Sequence, residues 1–237
     1  MNTIFFDLDG TLLPLEENEF VKRYFYLLSK RFIKYGYKQE EFINIIWAGT
    51  KAMIKNDGTK SNEEVFWETF TNLTGLRREK VEKEFEDFYL NDFSCIKKAC
   101  EPNPLAIKIV QILKEKGYEL ILSTNPVFPL LATIQRILWA GLNPCDFTYI
   151  TTYENSRYCK PNPNYYYEIL KIIGKKPSNC LMIGNSIKED MITSKIGFDV
   201  FLLTNNLINP DNEDINQFPH GDFNKLWEMV LDLPQLK

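Results

Sequence analysis

The groups in this 237-residue sequence that could do chemistry sit directly behind short apolar runs. Asp7 and Asp9 follow the run Thr3-Ile4-Phe5-Phe6. Thr124 and Asn125 follow residues 118–122, and Asn185, Glu189 and Asp190 follow residues 180–183. Lys160 lies in the loop Lys160-Pro161-Asn162-Pro163 ahead of a helical pattern. The set is mostly carboxylates, with one hydroxyl and one lysine. Carboxylate and carbonyl oxygens suit a hard cation such as Mg²⁺, and a lysine ammonium supplies a point charge for a phosphate. Two carboxylates two residues apart on extended backbone point to one side, so Asp7 and Asp9 can address the same group. His220 is the only histidine. A multi-histidine metal site is therefore excluded, and a Ser-His-Asp triad would have to rest on that one residue. Cys95, Cys100, Cys145, Cys159 and Cys180 are odd in number, scattered and without CxxC spacing. They argue for free thiols in a reducing cytoplasm rather than a zinc site or a disulfide framework.

The elements that must position these groups alternate. Residues 105–116 have helical periodicity and stop at Gly117. A strand follows over 118–122, a helix over 128–140 to Gly141, and a strand over 147–150. Residues 164–173 form the next helix to Gly174, and 180–183 a strand. A helix from Ser186 to Ile196 and a strand over 200–203 complete the series. Such alternation with short loops predicts an α/β fold, a doubly wound parallel sheet with helices on both faces. Ligands bind such a sheet beyond the carboxyl ends of its strands, where the polar residues above converge.

Between the first strand and this block the texture changes. Residues 17–92 are rich in Phe, Tyr, Lys and Glu at helical spacing. Ser61-Asn62-Glu63-Glu64 is a capping box, and Gly36 and Asn56-Asp57-Gly58 break the region into about four helices. The predicted organisation is a core of residues 1–13 and 102–237 interrupted by an all-helical cap of residues 14–101. Pro14 and Pro102-Asn103-Pro104 mark stiffened hinges. The Trp47-Ala48-Gly49-Thr50-Lys51 stretch looks flexible and could face the site. The cap aromatics Phe20, Tyr24, Phe25, Phe32, Trp47, Phe66, Trp67 and Phe70 read as core rather than as substrate contacts.

Asp7-Leu8-Asp9-Gly10-Thr11-Leu12 resembles the first motif of the haloacid dehalogenase superfamily. Leu120-Ile121-Leu122-Ser123-Thr124-Asn125 is similar to its second motif, Lys160-Pro161-Asn162-Pro163 to its third, and Met182-Ile183-Gly184-Asn185-Ser186 through Asp190 to its fourth. All four stand in the family's order, and the helical insert resembles the family's class I cap. The resemblance implies a Rossmann-like core and a Mg²⁺-dependent phosphatase, similar to phosphoglycolate phosphatase-like members. Asp7 would attack phosphorus to give an aspartyl-phosphate. Asp9 would protonate the leaving oxygen and then accept a proton from water. Thr124, Asn125, Lys160 and the close-turning Gly10 would hold the phosphate. Asp7, Asp9, Asn185 and Asp190 would hold the metal. One departure stands out: the family usually has Asp where this chain has Asn185, which offers a carbonyl oxygen but no charge.

Blander readings exist for several of these residues. Asp-Leu-Asp-Gly can be a turn, Thr124 a helix cap, and Lys160 a solvated lysine. Ser186 to Glu189 is itself a capping box, which casts Glu189 as a cap, and Asp190 could be a first-turn dipole residue. His220 reads as a surface loop residue. Competing functions are a phosphomutase, which shares the two aspartates, a dehalogenase, a phosphonatase and a degenerate binding protein. Asp9 argues against the dehalogenase, whose leaving group needs no proton. The net charge of −4 without a basic stripe argues against nucleic acid. The sequence has no signal-peptide pattern and no membrane-length apolar run. The expected partner is a small phosphorylated metabolite, and the expected state a cytoplasmic monomer or weak homodimer.

Overall fold

The computed structural model describes residues 1–236. Its centre is β1, Thr3–Phe6, whose β-branched and aromatic residues are buried on both faces, as a central parallel strand requires. Ile4 and Phe6 point into one core cluster and Phe5 into the other. Five more strands follow: β2 (Glu119–Leu122), β3 (Tyr149–Ile150), β4 (Cys180–Gly184), β5 (Asp199–Leu203) and β6 (His220–Gly221). The sheet runs β3-β2-β1-β4-β5-β6, with every neighbouring pair parallel. Phe6 is in register with Leu122 on one side and Ile183 on the other. Three strands thus end level; from β1 the chain steps outward through β2 to β3, then crosses back to β4 on the other side of β1. That is the switch point where a doubly wound sheet opens a crevice.

Eight α-helices are placed among the described residues: α1 (Glu17–Phe32), α2 (Gln39–Ile54), α3 (Asn62–Thr74), α4 (Arg78–Asp87), α5 (Pro104–Glu115), α6 (Leu130–Trp139), α7 (Pro163–Ile173) and α8 (Phe223–Asp232). The face of Ile4 and Phe6 packs against α5, α6 and α8. The face of Phe5 packs against α7, through Tyr165, Tyr166 and Ile169. The four helices between β1 and α5 are followed by a π-helical turn, Phe88–Asp92, and a 3-10 segment, Phe93–Ala99. Their interior is aromatic. Phe32 stacks on Phe42 at 4.1 Å, and Phe70 and Phe85 meet edge-on at 5.5 Å, contacts worth about 0.5–1.5 kcal/mol each beyond their burial. The chain enters and leaves this region side by side. Leu15 and Cys100 form an antiparallel bridge, and Glu16 N donates to Ala99 O at 3.2 Å.

The predicted capping box at Ser61 and Glu64 is present in both directions. Several other expectations need correction. The helix predicted from Ser186 to Ile196 is a tight turn followed by a 3-10 segment, Met191–Ile196. Ser186 Oγ does accept from Glu189 N at 3.2 Å. However, the Asp190 carboxylate folds back to accept from Ser186 N at 3.0 Å, so the first turn closes on itself. The stretch from Trp47 to Lys51 is regular helix within α2. Gly49 is there for packing, since a Cβ would lie 2.7 Å from the Phe66 ring. His220 is not in a loop; it opens the edge strand β6. The strand predicted over 147–150 has only two residues, and α6 starts at Leu130 because Pro129 precedes it.

Candidate active site

The loop after β1 wraps tightly. Gly10 N donates to Leu13 O and Leu13 N to Leu8 O, both at 2.8 Å. Gly10 has φ +77°, and a Cβ there would sit 2.3 Å from Asn185 Nδ2. No other residue fits both the backbone and the space. Gly184 has a similar duty at the end of β4, where a Cβ would lie 2.2 Å from Asp190 Oδ2. The two glycines let the first and fourth motifs close on each other.

Between them lies an ion cluster. Lys160, 1% exposed, places Nζ 2.9 Å from Asp7 Oδ1 and 2.6 Å from Asp190 Oδ1. Burial alone would lower the lysine's pKa, but the Asp190 and Asp7 carboxylates outweigh it and hold it well above the usual lysine range. Burial pushes the Asp190 carboxyl up to about 7, with Lys160 opposing and Asp7 adding to the rise. The second oxygen of Asp7 lies 3.1 Å from Thr11 Oγ1, which is also 3.3 Å from Asn185 Oδ1. The hydroxyl has one proton and serves one of these oxygens at a time. Asn185 Nδ2 donates to Asn206 O at 2.6 Å, and Asn206 Nδ2 donates to Gly10 O at 3.2 Å.

The loop after β2 is held from below. Thr124 O accepts from Thr151 Oγ1 at 2.8 Å and from Tyr165 OH at 2.9 Å, and Tyr166 OH donates to Glu189 O at 2.8 Å. Asn125 Nδ2 reaches both Glu189 carboxylate oxygens at 3.4 Å. Asp7, Asp9, Gly10, Thr124, Asn125, Asn185 and Asp190 all line one cavity of about 410 Å³ between the strand ends and helices α1 and α2. Lys160 lies under its floor rather than in its wall. Trp47 and Thr50 do reach the cavity, from the helical turn that the sequence suggested was flexible.

Arg136 was not foreseen. It is 1% exposed on α6, pairs with Asp9 Oδ2 and donates to Thr133 Oγ1 at 3.2 Å. Its guanidinium carbon lies 4.5 Å from the Phe128 ring centroid. The available signal was a single charge inside the apolar helix Leu-Leu-Ala-Thr-Ile-Gln-Arg-Ile-Leu-Trp. A charge so buried calls for a carboxylate partner. Thr11 and Asn206 were also missed; neither belongs to the groups flanking the strand ends that the spacing singled out.

Among the described residues no three His, Cys, Asp or Glu side chains gather as a metal cluster. The oxygens gathered in the site are the Asp7 carboxylate and the Asn185 amide carbonyl, which share the Thr11 hydroxyl. A small, hard, largely hydrated cation accepts such a set.

Comparison with known proteins gives the family and the fold. The family model for haloacid dehalogenase-like hydrolases matches residues 1–207. The pyrophosphatase PpaX of Bacillus cereus (strain AH820) is 23% identical over 186 residues, 78% of this chain and 75% of that protein. The HAD phosphatase from Thermococcus onnurineus superposes with a TM-score of 0.61 at 17% identity, covering 100% of both chains. The HAD-hydrolase YfnB from Bacillus subtilis, bound to magnesium, gives 0.54 at 19% identity, covering 97% of this chain and 98% of that one. With a six-stranded parallel sheet, four motifs meeting at its switch point and a family match over most of its length, the chain belongs to the haloacid dehalogenase-like hydrolases.

Proposed function

We infer that this hydrolase transfers the phosphoryl group of a small organophosphate to Asp7 and then to water, with Mg²⁺ as cofactor. The observation that carries the reading is the Lys160 ammonium buried 2.9 Å from Asp7 and 2.6 Å from Asp190, directly under the cavity floor. A carboxylate attacking a phosphate ester brings two anions together, and a fixed cation against the nucleophile offsets their repulsion. Lys160 holds Asp7 through one oxygen and leaves the other toward Thr11 and the cavity. In the first step an Asp7 oxygen forms a bond to phosphorus while the bond to the leaving oxygen breaks. Asp9 gives that oxygen a proton. In the second step Asp9 takes a proton from water, which attacks phosphorus and frees Asp7. One Asp9 oxygen is held by Arg136, so each proton transfer has to loosen or use the other.

Thr124, the Asn125 side chain and nearby amides would bind the non-bridging phosphate oxygens. Asp7, the backbone carbonyl of Asp9 and Asn185 Oδ1 would hold Mg²⁺. When bound, the cation would neutralise charge on the phosphoryl group. Asp190 has one oxygen on Lys160 and the other on Ser186 N. In this reading it acts through the lysine. Residues 14–101 would form a cap over a core made of 1–13 and 102–237, with the paired crossings at Leu15 and Cys100 as hinge. All five cysteines are free, and among the described residues no helix is long and apolar enough to cross a membrane. These features support a cytoplasmic setting. The pyrophosphatase relatives make pyrophosphate one substrate to test.

The test is phosphate release from an aryl phosphate, with Mg²⁺ and with EDTA. Turnover that needs Mg²⁺, together with an intact-mass adduct of one phosphoryl group, is the expected result. Asp7→Asn should keep the wild-type circular dichroism and lose both turnover and adduct. An Asp7→Asn protein near the wild-type rate would remove the covalent mechanism.

A further inference from the structure

We propose that the leaving group this site accepts is uncharged and apolar or aromatic, so that the favoured substrates are monophosphate esters of hydrophobic alcohols rather than pyrophosphate or phosphorylated carboxylic acids. The inference rests on the phosphohydrolase reading above and concerns the part of the cavity that lies away from Asp7.

Charge supports it first. Among the described residues no Lys, Arg or His lines the 410 Å³ cavity, whereas Asp7, Asp9, Glu189 and Asp190 all do. The two buried cations nearby are committed: Lys160 to Asp7 and Asp190, and Arg136 to Asp9. Their positive charge supports one phosphoryl group at the strand ends. A second phosphate, or a carboxylate on the leaving group, would extend toward walls that offer no cation. Recognition of such anions ordinarily uses Arg or Lys.

Surface chemistry supports it second. The apolar lining comes from Leu15, Phe20, Phe25 and Trp47 of the helical region and from Val127 and Phe128 of the loop after β2. Phe20 and Phe128 meet edge-on at 6.1 Å, and Trp47 leans on Phe25 at 5.1 Å. Trp47 is 39% exposed, so it stands where an entering ring can slide against it. The polar side chains on this wall are already engaged. Tyr24 OH pairs with Tyr89 OH at 3.0 Å, and Thr50 Oγ1 donates to Ile46 O at 3.0 Å. An apolar wall with internally satisfied hydroxyls recognises an apolar group by area.

The experiment compares kcat/KM of the Mg²⁺-loaded full chain on 2-phenylethyl phosphate, 2-phosphoglycolate, pyrophosphate and acetyl phosphate. A hydrophobic contact of this size discriminates by about 10-fold or more. The expected order therefore places 2-phenylethyl phosphate at least about 10-fold above 2-phosphoglycolate and pyrophosphate. Trp47→Ala should lower the phenylethyl ester more than acetyl phosphate. Thr50→Lys, which adds a cation to the wall, should narrow the gap to pyrophosphate. Pyrophosphate or 2-phosphoglycolate turned over as well as the phenylethyl ester would overturn this substrate class and leave the phosphohydrolase reading intact. Equal losses on 2-phenylethyl phosphate and acetyl phosphate in Trp47→Ala would also overturn it. No turnover of any of the four compounds would remove both readings.

Discussion

Replacing Lys160 with methionine tests the ion cluster through stability and activity at once. Methionine keeps most of the buried stem and removes the charge between two carboxylates. Breaking a buried ion pair by deleting one partner costs about 3–5 kcal/mol near neutral pH, a large part of a typical domain's stability. The penalty should depend on pH in a defined direction. The Asp190 carboxyl is pushed up to about 7, above its ordinary 3.8, by burial that Lys160 only partly offsets. The folded protein therefore takes up a proton as pH falls from about 7 to about 4, while the unfolded chain stays ionised. The metal-free wild type should gain stability over that window and lose it as pH rises. Without Lys160 the carboxyl stays protonated to higher pH. Above pH 7 the variant then falls further behind the wild type, by up to about 1.4 kcal/mol per pH unit. Below pH 5 Asp190 is neutral in both proteins, and the gap should be smallest.

Urea unfolding in EDTA at pH 5 and pH 8, followed by tryptophan fluorescence, measures the difference. Activity should fall by about 10²–10³-fold, the usual effect of removing one preorganised electrostatic contact to a reacting group. A variant whose stability deficit is the same at both pH values would show that Asp190 does not titrate against Lys160. A kcat within threefold of wild type would show that the lysine does not serve the nucleophile.

Three further outcomes follow from the same geometry. Arg136→Ala should destabilise the protein by about 1.5–3 kcal/mol, the worth of a hydrogen bond between charged groups, since Asp9 keeps access to water; urea midpoints check this, and an unchanged midpoint would refute it. Gly10→Ala should lose most activity even if it folds, since the new methyl meets Asn185 Nδ2 at a +77° φ; a phosphatase rate near wild type would mean the loop relaxes freely. Asn185→Asp should lower the Mg²⁺ concentration for half-maximal activity and destabilise the metal-free protein by about 1–3 kcal/mol, the cost of an unmade buried hydrogen bond. Titration of Mg²⁺ against both proteins decides it, and equal apparent affinity would place the metal elsewhere.

How much of this was legible in the sequence divides by physical cause. The parallel sheet was legible because fully buried strands print continuous apolar runs with glycine stops between helices. The region after Ser186 was misread for a local reason: Ser186 and Glu189 match a capping box, but the Asp190 side chain competes for the same backbone donor and ends the α-helical turn. The two-residue strand β6 carries almost no pattern, so His220 could not be placed. The groups behind the strand ends converge because strand polarity and register dictate it. Arg136 escaped because it comes from a helix, whose faces cannot be assigned to a strand-end site from spacing alone. The apolar lining of the cavity was half legible. The aromatics of α1 read correctly as buried, whereas Trp47 of α2 reads as core and is 39% exposed at the cavity; burial in a core and a place against a cavity print the same periodicity.

Position 185 is where the two kinds of information combine. As sequence, asparagine there is a missing charge. In the fold its amide does what a carboxylate cannot: the NH₂ donates to Asn206 O while the carbonyl oxygen faces Thr11. Asn206 in turn donates to Gly10 O, so the loops after β1, β4 and β5 are tied in one ring. A carboxylate would set its oxygen against the Asn206 carbonyl at 2.6 Å and add a further negative charge beside Asp7, Asp9 and Asp190. Among the described residues only Lys160 and Arg136 are cations buried there to balance them. Under the proposed phosphatase reading, asparagine would exchange metal-binding charge for a neutral clamp on the loops and leave the cavity floor less repulsive to an incoming phosphate. The buried cations are likewise committed, Lys160 to Asp7 and Asp190 and Arg136 to Asp9, while the described lining of the cavity offers no Lys, Arg or His to a second anion.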